Sequence, residues 1–405
     1  MINAAEKRLL LLVDDDSENI QVVHSILKDQ YKIRVAKNGS KALELAKVEP
    51  RPDLILLDVM MPHTDGYEAC SYLKADERTR DIPVIFLTGK TEVADEARGF
   101  EVGAVDYIHK PFSPPIITAR VRTHLMLRDA RETVTRQLVA INGELEMARQ
   151  IQLSILPQET PKLQGLEIEA RYLPMSSVAG DFYDFLVIDE KHVGILIADV
   201  SGHGLPSALI ASMLQTGLAA QAPKASDPAQ VLSGLNRALS GKFSRHYVTA
   251  AYLFVDMENG TANYAGAAHP PLVLWQSKAA RTFEFVENGL MLGPFSDSTY
   301  SAVTISLEEG DRILLITDGI IEAMDSSHEQ FGMARLRQIV ESNHTLSINH
   351  LADAVLDELS CWSKDSIGPS QSDDITLLVI DFKSVANRPA PHAIVDVQRY
   401  IAKPG

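Results

Sequence analysis

The chain has 405 residues, 45% of them apolar, which is enough for two folded units, each with its own core, and a connector. Its 38 Lys and Arg stand against 54 Asp and Glu, a formal charge of −16 that opposes non-specific attraction to nucleic acid or to anionic membranes. With only Cys70 and Cys361 there is no disulfide framework or cysteine metal site, which fits a reduced cytoplasm, and no apolar run approaches the roughly 20 residues that span a bilayer.

The first apolar run, "RLLLLV", meets three acids at once and reads as a strand rather than a secretory signal. Further runs "KIRVA", "LILL", "PVIFLT" and "DYIHK" alternate with amphipathic stretches such as "SENIQVVHSILKD" and "SKALELAKV". That rhythm predicts a parallel, doubly wound α/β sheet. Asp14, Asp15, Asp16, Asp58, Thr88 and Lys110 then fall at or just past the carboxyl ends of the strands, where such sheets open their ligand crevice. Carboxylates with one lysine and one hydroxyl suit a hard cation beside a phosphoryl group. Asp16 reads as a helix N-cap or as an acid one step removed from the site.

Across about residues 7–125, "LLVDDDSEN", "LILLDVMMPHTDG", "FLTGK" and "DYIHKP" resemble the receiver domain of two-component response regulators, a flavodoxin-like fold. The resemblance implies that Asp58 accepts a phosphoryl group from a sensor histidine kinase or phosphotransfer protein. Asp14 and Asp15, with Asp58, would hold Mg²⁺, and Lys110 would pair with the phosphoryl group. Thr88 and Tyr107 would be the switch residues, and Lys110–Pro111 a cis peptide.

Residues 126–157 form a connector rich in alternating charge, predicted as one long helix or two abutting helices. Val134, Leu138, Ile141, Leu145, Ala148, Gln152 and Ile155 step by four and three residues, the spacing of a coiled-coil seam and hence of a homodimer. A single amphipathic helix packed on either neighbouring domain is the competing reading. Asn142–Gly143 is a candidate hinge.

Beyond Pro157, the β-rich segments "LEIEARYLP", "HVGILIADVSG", "HYVTAAYLFVDME", "TANYAGAAHPPLVLW", "DRILLITDGI" and "DDITLLVIDF" surround the helical stretches "PSALIASMLQTGLAAQ" and "PAQVLSGLNRALSGKF", predicting an α+β domain over 158–384. Asp181, Asp199, Asp318 and Asp373 each adjoin an apolar strand. A carboxylate-only set suits Mg²⁺ or Mn²⁺ better than Zn²⁺, and two such ions sharing Asp199 would activate a water for attack on phosphorus. Asp184 reads as a strand-end turn or cap. The tail, 385–405, is left as an ordered short helix or a loose end.

The motifs "GDFYDF", "ADVSGHG", "AGAAHPP", "TDGIIE" and "DDITLLV", over about residues 145–383, resemble the metal-dependent PPM phosphatases of the bacterial partner-switching and sporulation branch. A β-sandwich flanked by helices is implied. Carried over by position, Asp199 bridges two Mn²⁺ or Mg²⁺ ions, Val200 lends its carbonyl, Asp181 serves one ion, and Asp318 with Asp373 the other. Asp374 is the neighbour that could be mistaken for Asp373. His203 lies beside the site without an assigned role. Ala179 replaces a glycine common in relatives, and Arg171 is the candidate phosphate-binding arginine.

The expected protein is therefore a cytoplasmic response regulator in which Asp58 phosphorylation controls a serine/threonine phosphatase. The resemblance points to an anti-sigma-factor antagonist as substrate. The alternative is a phospho-regulated adaptor that binds a sigma or anti-sigma factor, since the layout also resembles the enterobacterial adaptor for the stationary-phase sigma factor and a pseudomonad counterpart. Such adaptors have degenerate metal acids, whereas all four are present here. A cyclic-dinucleotide synthase and a DNA-binding output both lack the residues they need.

Overall fold

The computed structural model describes residues 7–89, 93–175, 178–202, 204–243, 245–363 and 373–383. The chain separates into two compact units whose boundary falls between Ile141 and Asn142.

In the first unit, strands and helices alternate as β1 (Leu9–Val13), α1 (Ser17–Leu27), β2 (Lys32–Ala36), α2 (Gly39–Ala46), β3 (Leu54–Asp58), α3 (Gly66–Ala75), β4 (Val84–Thr88), α4 (Val93–Glu101), β5 (Asp106–His109) and α5 (Pro114–Ile155). The strands form one parallel sheet in the order β2-β1-β3-β4-β5, the flavodoxin-like arrangement. Every residue of β3 and β4 is buried, because helices cover both faces of a parallel sheet. Alternate residues serve opposite faces. Leu11, Val13, Ile55, Leu57 and Phe86 join one core cluster, while Leu10, Leu12, Leu54, Leu56 and Ile85 join the other. Asp16 caps α1, accepting a hydrogen bond from the Glu18 amide at 2.8 Å, so the capping reading describes it.

Helix α5 is a single element of 42 residues that runs through Asn142–Gly143 without a break. Its Ile117, Val121 and Leu125 pack into the first unit's core. Val134, Leu138 and Ile141 are 54%, 55% and 51% exposed and leave an apolar stripe uncovered among the described residues. The expected seam overreaches at its far end. Gln152 is buried, its amide donating to the Ala179 carbonyl at 2.5 Å and accepting from the Ala179 N–H at 2.9 Å. A side-chain amide matches both polar groups of one peptide, so Gln152 turns inward instead of facing a second helix. Ile155 likewise packs on the second unit's core.

The second unit contains β6 (Leu166–Leu173), β7 (Phe182–Val187), β8 (His192–Val200), α6 (Leu205–Ala219), α7 (Pro228–Leu239), β9 (Val248–Asp256), β10 (Thr261–Ala267), β11 (Leu272–Gln276), β12 (Arg281–Phe285), β13 (Asn288–Gly289), β14 (Val303–Ser306), β15 (Arg312–Ile316), α8 (Asp318–Ile321), α9 (Gly332–Ser342), α10 (Ile348–Ser363) and β16 (Ile375–Phe382). Two mainly antiparallel sheets result: β13-β10-β9-β8-β7, with β14 also on β10, and β12-β11-β15-β16-β6. Ile195, Ile197, Leu253, Ile313, Leu315 and Ile380 belong to one core cluster shared by the sheets and by α6 and α7. Val273, Leu314, Ile316 and Val379 pack instead with Leu336, Leu351 and Val355 of α9 and α10. The layers are thus helix, sheet, sheet, helix.

The β-rich stretch "TANYAGAAHPPLVLW" supplies β10 and β11, which lie in different sheets, with Ala268 at a positive φ of 53° where the chain turns over. One local expectation changes: Asp184 is not at a strand end. It is the third residue of β7, opposite Leu196, and its half-buried carboxylate accepts from the Phe185 amide at 2.8 Å. No helix among the described residues is long and apolar enough to cross a membrane. The tail 385–405 and His203 lie outside the described residues.

Candidate active sites

At the carboxyl edge of the parallel sheet, β1 delivers Asp14 and Asp15 and β3 ends on Asp58. Asp14 and Asp58 are buried and Asp15 is exposed, and one oxygen from each lies within 4.8 Å of the others. Among the described residues this is the sole group of three potential ligand side chains so closely gathered. Lys110 enters from the end of β5, its Nζ 3.0 Å from Asp14 Oδ2 and 3.0 Å from Asp58 Oδ2. Burial pushes the Asp58 carboxyl above its ordinary range, the Lys110 hydrogen bond opposes this, and Asp14 adds to it. Burial alone would lower the Lys110 ammonium, but its bonds to Asp14 and Asp58 hold it raised and charged.

Thr88 ends β4, buried, with its carbonyl accepting from the Lys110 amide at 2.8 Å, and the Lys110–Pro111 peptide is cis. Tyr107 makes edge contacts with Phe100 and His109, and Arg120 lies over its ring. Gly66 begins α3 directly beneath Asp58. A side chain there would overlap the Asp58 carbonyl, so only glycine lets α3 start this close to the acceptor.

The second site lies where strand ends of the two sheets of the other unit meet. Asp199 is the penultimate residue of β8 and pairs in register with Thr249 of β9. Asp181 immediately precedes β7 and is buried. Its Oδ2 accepts from Thr317 Oγ1 at 2.8 Å and from Thr376 Oγ1 at 2.5 Å, and it shares a hydrogen bond with Asp199. Asp318 opens α8, just past β15, while Asp373 lies just before β16. Asp373 acts electrostatically on both Asp199 and Asp318, so the four acids form one cluster, more widely spaced than the first.

Burial, then Asp318 and Asp373, push the Asp199 carboxyl up to about 8. Burial, Asp373 and Glu322 push Asp318 up to about 6. Asp181 is raised well above its ordinary value by burial and by Asp199, in spite of the threonine hydroxyls. Such a set gathers negative charge in one place. The Val200 carbonyl points at Gly180, where a Cβ would come within 2.7 Å of it, so the loop carrying Asp181 can pass Asp199 only with glycine at that position.

The residues that sequence reasoning missed are Thr317, Thr376 and Asp374. Asp374 is buried, with Oδ1 accepting from the Met175 amide at 2.7 Å and Oδ2 from the Gly180 amide at 2.6 Å, so it holds the loop bearing Asp181 while its charge adds to that felt by Asp181 and Asp199. Both threonines stand beside motif acids, in "ITDG" and "DDIT", which is the available signal. Arg171 is not at the site. It lies mid-strand in β6, paired with Glu169 and, at 2.9 Å, with Asp353.

Two outcomes are expected from this geometry. Asp374→Asn presents an amide N–H to the Met175 or Gly180 amide, and we expect about 1–3 kcal/mol loss of stability from the unpaired group. Thermal melts read the effect, and an unchanged melting temperature would remove Asp374 from any supporting role. A carboxyl raised in the folded state holds a proton there that the unfolded chain has released above its ordinary value of 3.8. Stability is therefore lost as pH rises above 3.8, the loss ending near 6 for Asp318 and near 8 for Asp199. Melting temperature in chelator should fall over that whole span, and Asp199→Asn should flatten the profile; a flat wild-type profile would contradict the clustering.

Compared with known proteins, residues 10–122 match the response regulator receiver domain family, and residues 189–383 match the Stage II sporulation protein E (SpoIIE) family. A probable cyclic di-GMP phosphodiesterase of Vibrio cholerae is 44% identical over 128 residues, 32% of this chain and 29% of that protein. The phosphoserine phosphatases RsbP and RsbU of Bacillus subtilis are 31% and 29% identical, each over 59% of this chain and over 58% and 70% of their own lengths. The chain thus spans less than two thirds of the first two of these relatives. The solved SiaA-PP2C domain of Pseudomonas aeruginosa covers 61% of this chain and 99% of its own, at 24% identity and a TM-score of 0.55, a likeness of fold.

Proposed function

Since the chain belongs to the response-regulator receiver family and continues into a SpoIIE-type phosphatase module, we propose that it is a response regulator in which phosphorylation of Asp58 controls a metal-dependent serine/threonine protein phosphatase. The observation that carries this reading is the joining of Asp181, Asp199, Asp318 and Asp373 into one acid cluster at the strand ends of both sheets. We assign the receiver to residues 1–125, the helical connector to 126–157 and the phosphatase to 158–384.

The donor set fits hard divalent cations: it is all oxygen, it is partly buried, and its carboxyls are raised by burial and by one another. Asp14, Asp15 and Asp58 would hold Mg²⁺ in the receiver. Asp181, Asp199, the Val200 carbonyl, Asp318 and Asp373 would hold two Mn²⁺ or Mg²⁺ in the phosphatase. When bound there, divalent ions supply Lewis acidity that activates water and balances charge growing on phosphoryl oxygens.

The chain's own residues do the rest. Asp58 Oδ would attack the phosphorus of a phosphohistidine on a sensor histidine kinase or phosphotransfer protein, forming an acyl phosphate as the P–N bond to the donor imidazole breaks, while Lys110 stays within reach to pair with the transferred group. Thr88, whose carbonyl binds the Lys110 amide, and Tyr107 on the neighbouring strand β5 are the groups that would register the new charge. In the phosphatase, Thr317 and Thr376 both bind Oδ2 of Asp181 and so fix that carboxylate beside Asp199. The uncovered stripe of Val134, Leu138 and Ile141 on α5 supports homodimerisation through the connector. RsbP and RsbU support a phosphoserine or phosphothreonine protein as substrate, and we propose an anti-sigma-factor antagonist in a partner-switching pathway. Free Cys70 and Cys361 agree with a cytoplasmic protein.

Phosphate release from a phosphoserine protein, with and without Mn²⁺ or Mg²⁺, is the direct test. Release that requires the ion supports the reading. No release from any phosphoserine protein or aryl phosphate, with either ion and with or without beryllofluoride, would sink it.

A further inference from the structure

His269 is the most deeply buried imidazole among the described residues, 2% exposed, and none of the steps above uses it. It follows β10 directly, in the turn that carries the chain from one sheet to the other. Three features hold it. Ala268, just before it, adopts the left-handed region at φ 53°, which a residue with a Cβ enters at some cost and which persists where surrounding structure imposes it. The Ala268 amide is tied to the Gly289 carbonyl at 2.9 Å. Asn288 brackets the His269 backbone, its Oδ1 accepting from the His269 amide at 3.2 Å and its Nδ2 donating to the His269 carbonyl at 2.8 Å.

The ring is placed between the two sheets. Its Nδ1 is 3.0 Å from Thr249 Oγ1, and Thr249 is the register partner of Asp199. Directly opposed residues of an antiparallel pair project on one face, so this hydroxyl stands beside the Asp199 side chain. Toward the other sheet, the imidazole is close to the carbonyl of Ile316, the last residue of β15, which leads straight into Thr317 and Asp318. Its Nε2 is buried and has no well-formed hydrogen bond among the described residues. Burial pushes the ring down to about 3, against the Ile316 carbonyl, so it stays neutral and adds no positive charge behind the acids. A hydrocarbon would fill this space at lower desolvation cost, and a lysine or arginine would cancel the charge of the cluster.

We propose that His269 is a strut that sets the distance between Asp199, near the end of β8, and Asp318, at the start of α8 just past β15, and so tunes how tightly the acid cluster holds divalent ions. It is a positioning residue and touches no reacting atom. The inference rests on the metal-site reading above and names a determinant of that site.

The test is Mn²⁺ binding to the full chain by calorimetry, with phosphate release measured in parallel, for wild type, His269→Phe, His269→Asn, Thr249→Val and the double variant His269→Phe with Thr249→Val. The expected result is an affinity for Mn²⁺ weakened about 10–100-fold in His269→Phe and Thr249→Val. The double variant should be no worse than the weaker single, because both break one link. His269→Asn, whose amide can take the place of Nδ1, should recover part of the loss. Loss of melting temperature with Mn²⁺ affinity unchanged would overturn the strut and leave a packing role. If His269→Phe does not fold, Thr249→Val, which keeps its volume and loses only the hydroxyl contact, decides alone. Weakened Mn²⁺ binding in a wild-type background that releases no phosphate would keep the strut and reject the phosphatase. Release by wild type with Mn²⁺ affinity unaltered in the variants would do the reverse, and a wild-type chain that binds no Mn²⁺ would reject both.

Discussion

Asp199→Asn is expected to abolish metal-dependent phosphate release, lowering the rate on the order of 10³–10⁴-fold, the scale seen when one member of a catalytic unit is removed. Asp199 is the acid on which the others converge: Asp181 hydrogen-bonds to it, and Asp318 and Asp373 both raise its proton affinity. Asparagine keeps the shape and one carbonyl oxygen but removes the charge that a bridging ligand supplies to two cations, so ion binding and turnover fail together. The strand itself should survive, because β8 is held by its ladders to β7 and β9 and by buried apolar neighbours on either side of position 199. Circular dichroism should therefore match wild type while calorimetry shows lost Mn²⁺ binding. A variant that kept activity within tenfold would remove Asp199 from the centre of the site and return attention to the adaptor reading.

In the receiver, Asp58→Asn should eliminate phosphoryl incorporation from an acyl phosphate donor and, with it, any change in phosphatase rate on adding beryllofluoride. An amide is a poor nucleophile and carries no charge to pair with Lys110 at 3.0 Å. Because Asp58 is raised chiefly by burial and also by Asp14, its neutral replacement relieves that cost, and the variant should be as stable as wild type or more so. The measurement is labelling by acid-labile phosphate together with phosphatase rate in the presence and absence of beryllofluoride. A wild-type rate that responds and an Asp58→Asn rate that responds equally would show that control does not pass through Asp58.

The receiver was the more legible half because its information is local. A parallel strand is a short apolar run, its carboxyl end is visible as the first polar residue, and Asp14, Asp58, Thr88 and Lys110 occupy such positions in chain order. The same holds for Asp199 at the end of "ILIAD" and Asp318 after "RILLIT". Asp184 misled because strand ends and strand interiors look alike when polar residues alternate with apolar ones, and only its pairing with Leu196 settles its place. The coiled-coil spacing misled at Gln152 for a related reason: periodicity marks a face of a helix but not what covers it.

Chain order and residue type were thus enough for the two-part architecture, for the acids at strand ends, and for the oxygen-only character of both sites. Which groups support those acids depended on sheet order. Thr376 lies 195 residues from Asp181 and Thr317 lies 136 from it, yet both hydroxyls meet one carboxylate oxygen because β15 and β16 are neighbours whose ends arrive beside β7. Asp373 and Asp374 are adjacent acids that the chain alone barely distinguishes; the first stays exposed toward Asp318, and the second turns inward to meet two backbone amides. A buried amide N–H must find an acceptor, and which carboxylate provides it is set by where the folded backbone brings those amides, a relation no local stretch of sequence encodes.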